Sequence, residues 1–482
     1  MDFSSAEIKN LIASIYHLEG DLKPLPGEID LNFLLVTQDK RKYTLKVANP
    51  AEKKDILDFQ NAMMLHLISK NMGLEIPEVI YSHQKELITA SKDKEGRDRL
   101  IRLLTWVEGR PFATVNPHTE QLLYQLGNLC GKLSLSLKDF DHPAAHRFIK
   151  WDLAQVEWVK PHLNSFRNDL KNDLAHYHYG LYESIVKPIE DSLPKSVIYN
   201  DANDYNVLVG FDKANPHVPG VIDFGDAVYS HTINELAIAL AYALMHKPDP
   251  MQAAYHIVKG YHTTFPLQEA ELKVLFPLIN IRLLISVVCS HQNLEENPDN
   301  VYLQISDQAA WTLLEKLRDI SPALAHSTFR HACGMEPCPT RITFNDWIAG
   351  HAHELKPIVA RDLNDGHWLD LGMDSLELGN QSIVLNDTRL RAQIEKTIQE
   401  SGKSVGLGKY NEVRPFYTSP AFEVESNDGL AWRTVHLGLD VFLNAGASVF
   451  APLHGVVYSI ADNAGDRNYG PTVILKHDIL PE

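Results

Sequence analysis

The segment from Ser196 to Ala227 constrains the fold of this chain more than any other. It reads SVIYNDANDYNVLVG, then a turn, then PGVIDFGDA. Short apolar runs rich in Val and Ile are typical of buried strands. The segment therefore predicts two strands that flank a polar loop and are joined by a hairpin around Asn215 and Pro216.

Three polar residues of this segment have the spacing of a kinase-type catalytic loop and its metal-binding Asp. Asp201 precedes Asn206 by five positions, and Asp223 follows 22 residues after Asp201. Phosphoryl transfer needs an Asp that orients the acceptor hydroxyl and accepts its proton. It also needs an Asn and a second Asp that hold magnesium against the nucleotide phosphates. By itself the spacing of Asp201 and Asn206 is weak evidence for a kinase, and a lone Asp-Phe-Gly also occurs by chance and often marks a turn.

The residues before this segment predict a small β-rich lobe with one long helix. A helix is predicted over 1–20. Strand-like runs cover 29–37, 42–48 and 99–107, and a helical stripe covers 51–72. Lys46 lies in the alternating run YTLKVA, where a kinase-like fold places a Lys that reaches the α- and β-phosphates. Residues 24–32 (PLPGEIDLN), which contain one Gly, occupy the place of a phosphate-covering hairpin.

The rest of the chain changes character twice. Helical patterns follow in 118–190, with 168–190 among the clearest, and again in 232–330. Residues 331–415 are mixed and predict a connector or a small insert domain. Residues 416–482 carry short strands with Gly and Asn turns, which predict an all-β domain.

Composition excludes several classes of protein. The formal net charge is −17, so phosphate repulsion disfavours binding to nucleic acid. The longest apolar stretch, Val274–Cys289, contains Asn280 and Arg282 and is short for a membrane span, so no membrane is expected. Four cysteines are too few for a disulfide scaffold, and the N-terminus lacks the pattern of a signal peptide. We therefore expect a cytoplasmic protein.

The motifs VIYNDANDYNVLVG and GVIDFGDAV resemble the aminoglycoside phosphotransferase and choline kinase family over about residues 1–330. The resemblance implies an α+β, two-lobed protein-kinase-like fold, with lobes at 1–107 and 108–330. It implies Asp201 as catalytic base and ATP or GTP bound with magnesium. The remaining implied site residues are the magnesium ligands Asn206 and Asp223, the phosphate-binding Lys46, and a base-binding hinge that includes Leu104 and Trp106.

Two departures from the family pattern keep an alternative open. Tyr199 replaces the family His two positions before Asp201, and an aromatic residue can support the loop in its place. Gln60 occupies the position of the Glu that pairs with Lys46, with Asp58 and Glu52 nearby. A Lys–Gln contact is weaker than an ion pair. The alternative is therefore a nucleotide-binding pseudoenzyme or scaffold module.

The β-domain contains an incomplete set of zinc ligands. His436 and Asp440 lie four positions apart in HLGLD, and with WRTVHLGLDVF and APLHGVV they resemble lysostaphin/LytM-type zinc peptidases over 416–482. In that family a downstream H-x-H strand supplies the third ligand, whereas His454 and His477 are isolated here. We expect an unfinished β-domain with no peptidase activity, and zinc only in a longer protein. A metal held by Cys333, Cys338 and His331 is disfavoured by their loose spacing.

This pairing of domains resembles bacterial fusion proteins that continue into a class III, pyridoxal-phosphate aminotransferase domain. Hydroxylysine kinases resemble the first part and share that pathway logic. The expected acceptor is therefore a small hydroxylated amine, such as hydroxylysine, ethanolamine or an aminoglycoside-like compound. Candidates for an acidic acceptor pocket are Asp204, Asp226 and Glu235, each of which also fits a surface or capping role.

Overall fold

The computed structural model describes residues 3–27, 30–166, 168–212, 215–296, 301–418, 420–465 and 467–478. The chain divides into two compact units, Met1–Pro337 and Cys338–Glu482, here called the first and second units. The lobe boundary at residue 107 and the division of the second unit at residue 415 stay predictions. Positions 28, 29, 213 and 214 of the two predicted turns lie outside the described residues.

The first unit begins with a helix packed on an antiparallel sheet. The sheet has the strand order β1-β2-β3-β6-β4, and β5 also pairs with β6. The elements are α1 (Ser5–Tyr16), β1 (Gly20–Leu25), β2 (Leu31–Thr37), β3 (Lys42–Val47), α2 (Lys54–Ser69), β4 (Val79–Ile80), β5 (Thr89–Lys92) and β6 (Asp98–Thr105).

The first helix is shorter than the predicted 1–20. Ser4 and Glu7 form a capping box at its start, which satisfies backbone N–H groups there. His17 adopts a left-handed conformation with φ 54° and ends the helix. Gly20 then begins β1, and its lack of a side chain permits the close approach to β2, since a Cβ at this position would lie 2.2 Å from the Val36 carbonyl oxygen. The last predicted helical residue, Gly20, therefore belongs to a strand that pairs with β2.

The alternation of β3 positions Lys46. Tyr43, Leu45 and Val47 are buried against α1, whereas Thr44 and Lys46 lie on the opposite face of the strand. Lys46 is directly opposite Arg102 of β6 in the sheet register. Directly opposed residues of antiparallel strands share a face, so these two cations point to the same side.

The remainder of the first unit is mainly helical, with short strands next to the polar loop. The strands form the sets β10-β9-β7 and β11-β8. The elements are β7 (Arg110–Pro111), α3 (Glu120–Leu137), α4 (Asp169–Leu181), β8 (Lys195–Ile198), β9 (Val207–Val209), β10 (Gly220–Val221), β11 (Val228–His231), α5 (Ile233–Ala243), α6 (Pro250–Thr264), α7 (Glu269–Glu296), α8 (Val301–Arg318) and α9 (Pro322–Ala332).

Two helices of this part differ from what the sequence patterns alone would indicate. The predicted helix over 168–190 is an α-helix only as far as Leu181. A π-helical turn over Tyr182–Val186 and a 3-10 helix over Lys187–Ser192 follow it. Pro188 lies in the 3-10 helix and has no N–H to donate, so it could not continue the α-helix. Among the described residues, Glu269–Leu294 is one helix long and apolar enough to cross a membrane, and 89% of its apolar window is buried. Such burial is usual for a core helix of a globular protein.

The second unit has its own small cluster of buried apolar side chains, which includes Leu369, Leu371 and Phe416. Short helices and two- or three-stranded sheets surround this cluster. The elements are α10 (Thr340–His351), β12 (His367–Trp368), α11 (Gln381–Val384), α12 (Asp387–Glu400), β13 (Gly406–Gly408), β14 (Glu412–Val413), β15 (Glu423–Ser426), β16 (Gly429–Trp432), β17 (Val435–His436), β18 (Asp440–Phe442), β19 (Val456–Asn463) and β20 (Gly470–Lys476).

Candidate active site

Asp201 lies in the polar loop between β8 and β9, and both oxygens of its carboxylate accept hydrogen bonds. Asn203 donates Nδ2 to Oδ1 at 2.8 Å, and Asn206 donates Nδ2 to Oδ2 at 2.5 Å. The side chain of Asp201 is 18% exposed. The loop therefore fixes the orientation of a nearly buried carboxylate and leaves it a narrow opening to solvent.

The β9–β10 hairpin brings Asp223 back to this loop. The Ile222 N–H donates to the Asn206 carbonyl at 3.0 Å, so Asn206 and Asp223 are neighbours despite their separation in sequence. Asp223 has a φ of 61°, in the left-handed region, and its Oδ1 accepts the Gly225 N–H at 3.1 Å. The predicted hairpin thus gathers Asp201, Asn206 and Asp223 as the sequence pattern requires.

Lys46 completes the cluster from the small lobe. Its Nζ lies 3.2 Å from Oδ2 and 3.3 Å from Oδ1 of Asp223. Burial opposes the ionisation of Asp223, but the Lys46 charge and the Gly225 N–H outweigh it and lower the pKa of this carboxyl. A carboxylate kept ionised is suited to bind a cation. The phosphate-binding role of Lys46 stays a prediction.

Gln60 pairs with Arg102 and not with Lys46, which differs from the pairing expected from the family resemblance. Its Oε1 accepts a hydrogen bond from Nη2 of Arg102 at 2.7 Å, and the neighbouring Asn61 accepts from Nη1 at 2.8 Å. Arg102 is 3% exposed, and burial lowers its pKa to about 10. The helix α2 therefore offers two neutral amides to a buried guanidinium, while Lys46 pairs with Asp223 instead.

Tyr199 supports the loop between β8 and β9 through hydrogen bonds. It is buried, and its hydroxyl donates to the carbonyl of Ile222, directly before Asp223. Its own N–H and that of Asn200 donate to Oε2 of Glu235 at 2.8 and 3.1 Å. An aromatic residue therefore links the catalytic loop to the Asp223 loop, the supporting role expected for the family His.

Glu235 is consequently not part of an acceptor pocket. It is 1% exposed on α5, and burial raises its pKa to about 7 despite the two backbone N–H groups that favour its ionised form. Its carboxyl is used to satisfy the backbone of the catalytic loop. The periodicity of α5 could not reveal this, because the partners lie 35 and 36 residues away.

Of the other two acidic candidates, Asp204 lies within the loop and Asp226 lies close to it. The Asp226 carbonyl accepts from Asn200 at 3.0 Å, and the Asp204 carbonyl accepts from the Ala113 N–H at 2.8 Å. Burial raises the pKa of Asp204. Burial, followed by the charge of Asp226, raises the pKa of Asp201 to about 8, although Arg282 opposes this change. Carboxyl groups are therefore concentrated around Asp201, and their proximity makes each harder to ionise.

The predicted hinge contains Leu104 and Trp106. Leu104 is 7% exposed near the end of β6, and the Trp106 N–H donates to the Lys42 carbonyl at 3.2 Å. Gly109, with a φ of 154°, follows at the end of this connection. The contacts of these residues with a nucleotide base stay a prediction.

Besides Arg102, two more arginines near the site were missed by sequence reasoning. Arg147 donates Nη2 to the carbonyls of Gly225 and Ala227 at 2.6 and 2.9 Å, and so holds the loop that follows Asp223. Arg282 of α7 has its Nη2 3.8 Å from Oδ1 of Asp201. The signal for Arg282 was present, since a charged residue interrupts an apolar run, but its partner could not be read from the run.

In the second unit, His436 and Asp440 are neighbours. His436 Nε2 lies 3.3 Å from Oδ1 of Asp440. The Tyr417 hydroxyl is hydrogen-bonded to Nδ1 of His436 at 2.7 Å. Arg414 donates Nη1 to Oδ2 of Asp440 at 2.6 Å. Among the described residues, no group of three or more His, Cys, Asp or Glu side chains is placed to hold a metal ion. His477 contacts the His454 carbonyl and not this pair.

Comparison with known proteins agrees with the geometry of the first unit. A sequence profile of the phosphotransferase enzyme family, APH, matches residues 21–269, just over half of the chain. Hydroxylysine kinase from Mus musculus is 26% identical over 341 residues, which cover 66% of this chain and 90% of that protein. Hydroxylysine kinase from Bos taurus is 27% identical over 342 residues, with the same shares covered.

Solved structures show the same fold. An amicoumacin kinase in complex with AMP-PNP and Ca2+ superposes with a TM-score of 0.51 at 15% identity, over 65% of this chain and 94% of that one. A microcompartment-associated aminopropanol kinase gives 0.50 at 15% identity, over 68% and 99%. The predicted α+β kinase-like fold is thus confirmed. With the profile match and the gathered cluster, the chain belongs to the APH phosphotransferase enzyme family.

Proposed function

We propose that the first unit is a kinase that transfers the γ-phosphoryl group of a nucleoside triphosphate to the hydroxyl of a small amino alcohol. The observation that carries the proposal is a series of hydrogen bonds: Lys46 contacts Asp223, the N–H of the preceding Ile222 donates to the Asn206 carbonyl, and Asn206 donates to Asp201. The named relatives, two hydroxylysine kinases, support the choice of acceptor class. Hydroxylysine and ethanolamine are the first acceptors to test.

The residues present fit a hard divalent cation such as magnesium. Such ions prefer oxygen ligands, and the cluster offers the ionised carboxylate of Asp223 and the amide oxygen of Asn206. The Nδ2 of Asn206 is used by Asp201, which leaves its Oδ1 for a cation. When bound, the ion would neutralise charge on the nucleotide phosphates. Lys46 would leave Asp223 for the phosphates, and Asp201 would orient the acceptor hydroxyl and accept its proton.

The charge of the acceptor side supports a cationic substrate. Asp201, Asp223 and Asp226 lie close enough together for their charges to act on one another. An ammonium group near these carboxylates would offset their mutual repulsion, whereas a neutral or anionic alcohol would not. This charge pattern favours hydroxylated amines over sugars and simple alcohols.

A phosphorylation screen tests the proposal. The full chain is incubated with magnesium and either ATP or GTP, and phosphate transfer to hydroxylysine, ethanolamine or an aminoglycoside is measured. Lysine, which lacks the hydroxyl, and propanediol, which lacks the amine, are the matched controls. Transfer to hydroxylated amines alone supports the proposal. Nucleotide binding without transfer to any acceptor would favour the pseudoenzyme or scaffold alternative.

For the second unit we propose a spacer or docking role without peptidase activity. The ion pair between Arg414 and Asp440 supports this, because the guanidinium competes with a metal for the carboxylate. Zinc analysis of the purified chain tests this proposal. One zinc per chain that is lost in His436→Ala would contradict it.

The resemblance to fusion proteins supports a further proposal about the product. A pyridoxal-phosphate enzyme would consume the phosphorylated amine, in the cytoplasm.

A further inference from the structure

We infer that Arg282 is a positioning residue for Asp201, which it holds in the orientation that phosphoryl transfer requires. The inference rests on the proposed function, since it takes Asp201 as the group that accepts the acceptor's proton. Arg282 Nη2 lies 3.8 Å from Oδ1 of Asp201, and the Arg282 side chain is 2% exposed. No family motif quoted above includes this arginine.

Arg282 is itself held from several sides. Its Nη1 donates to the Trp151 carbonyl at 2.9 Å, and its Nη2 donates to the Tyr242 hydroxyl at 3.1 Å. The guanidinium lies over the Trp151 ring at 4.7 Å and over the Tyr242 ring at 5.4 Å. A planar, permanently charged group is suited to such a site, in which rings and oxygen atoms fix its plane. Its position is therefore determined without Asp201.

Arg282 differs in kind from the other groups that contact Asp201. Asn203 and Asn206 are neutral, and they belong to the same loop as Asp201, so they move with it. Arg282 comes from α7, a core helix, and it is a cation. It therefore ties the carboxylate to a rigid element outside the loop and balances the negative charge gathered there.

A packing role alone does not account for an arginine at this position. The neighbouring side chains of α7, such as Leu283 and Ile281, are fully buried and apolar. Burying a guanidinium on such a core helix is costly unless it gains partners of opposite charge. Burial opposes the charged form of Arg282, but Tyr242 and, after it, the charges of Asp201 and Asp226 outweigh burial and raise the pKa of the guanidinium. The interaction with Asp201 therefore offsets part of the cost of burying the guanidinium.

Substitutions at three positions test the inference. Arg282→Met keeps an unbranched side chain but removes the guanidinium and its charge, and we expect kcat to fall on the order of 10²-fold with the nucleotide KM unchanged. Arg282→Lys should recover part of this loss. Tyr242→Phe removes one partner of Arg282 and should cause a smaller loss of kcat. Arg318→Met, an exposed arginine of α8, is the matched control and should behave as wild type.

A double substitution separates positioning from general structural damage. If Arg282 acts through Asp201, then Arg282→Met should add no further loss to the residual activity of Asp201→Asn. An equal further loss in that background would overturn the inference, and so would an unchanged kcat in Arg282→Met. If Arg282→Met does not fold, Tyr242→Phe decides, and wild-type kcat would overturn the inference. Full turnover by Asp201→Asn would instead overturn the proposed mechanism.

Discussion

Glu235 is a buried carboxyl beneath the catalytic loop, and its ionisation should make stability depend on pH. Its pKa is raised from 4.5 to about 7 by burial. A raised pKa means that the folded protein holds a proton that the unfolded chain releases at lower pH. The resulting stabilisation is fully present below about pH 4.5 and is lost as the pH rises through 7.

Glu235→Gln should weaken this pH dependence. The amide oxygen can still accept the N–H groups of Tyr199 and Asn200, but the side chain no longer ionises. We expect the melting temperature of the wild type to fall more steeply between pH 5 and pH 8 than that of the variant. The slope of the wild type should not disappear in the variant, because the pKa of Asp201 is also raised, to about 8. Identical slopes would contradict the burial of an ionisable group at this position.

Gln60→Glu tests which cation faces α2. The new carboxylate would lie beside Arg102, whose Nη2 is 2.7 Å from the present Oε1. We expect a stabilisation of about 1 kcal/mol in urea unfolding, since a hydrogen bond to a charged group is stronger, and a nearly unchanged nucleotide KM. Gln60→Leu, which leaves the guanidinium donor unpaired, should cost about 1–3 kcal/mol. A large change of nucleotide KM in Gln60→Glu would show that position 60 reaches Lys46.

The sequence located residues whose role follows from local spacing and missed those whose partners are distant. Asp201, Asn206 and Asp223 were found because one hairpin joins them. Arg102 and Arg282 were missed because each lies in an apolar element, where the pattern indicates burial but not the facing group. Gln60 was misassigned for the same reason, since a helix stripe does not say which of two neighbouring cations it meets.

At the scale of elements, α3 and α6 pack so closely that they require glycine. A Cβ at Gly127 would lie 1.8 Å from the Ile257 carbonyl oxygen, and one at Gly260 would lie 1.9 Å from the Tyr124 carbonyl oxygen. These are backbone atoms, which cannot rotate away as a side chain can. The two helices are therefore held at a separation that only glycine permits.

Gly127→Ala should separate these helices and destabilise the first unit by about 1–3 kcal/mol or more. Gly180→Ala in α4 is the matched control, because nothing lies within 4 Å of its added Cβ. That change should stabilise the protein by about 0.5–1 kcal/mol through the higher helix propensity of alanine. Urea unfolding of both variants measures the difference. Equal effects would contradict the close packing.

The elements themselves were largely predictable where their periodicity was regular. The patterns predicted α2, β2 and β3 within a few residues of their observed ends. They failed at β1, because the close approach of Gly20 to β2 is a tertiary contact. They also failed at the end of α4, where Pro188 was included in a helix that it cannot continue.

At the scale of the whole molecule, the chain should be separable into its two units. The named residues of the candidate active site all lie in Met1–Pro337, and each unit has its own cluster of buried apolar side chains. We expect residues 1–337, produced alone, to melt cooperatively and to retain the phosphoryl-transfer activity of the full chain. Residues 338–482 alone should transfer no phosphate. A folded but inactive 1–337 fragment would show that later residues take part.

The excess of acidic residues has a local consequence. A net charge of −17 does not attract a nucleotide, so Lys46, backbone amides and a divalent cation must do so within the site. The same charge suits an ammonium-bearing acceptor, which links a property of the whole chain to the carboxylates around Asp201. Increasing salt should therefore raise the KM for a cationic acceptor.

The most direct measurement compares the wild type with Asp201→Asn in phosphate transfer to hydroxylysine or ethanolamine, with nucleotide binding measured in parallel. We expect the wild type to transfer phosphate and the variant to lose turnover on the order of 10³-fold, because the group that accepts the proton is gone. Nucleotide binding should be retained. Turnover by Asp201→Asn at the wild-type rate, or no transfer by the wild type to any hydroxylated amine, would contradict the account.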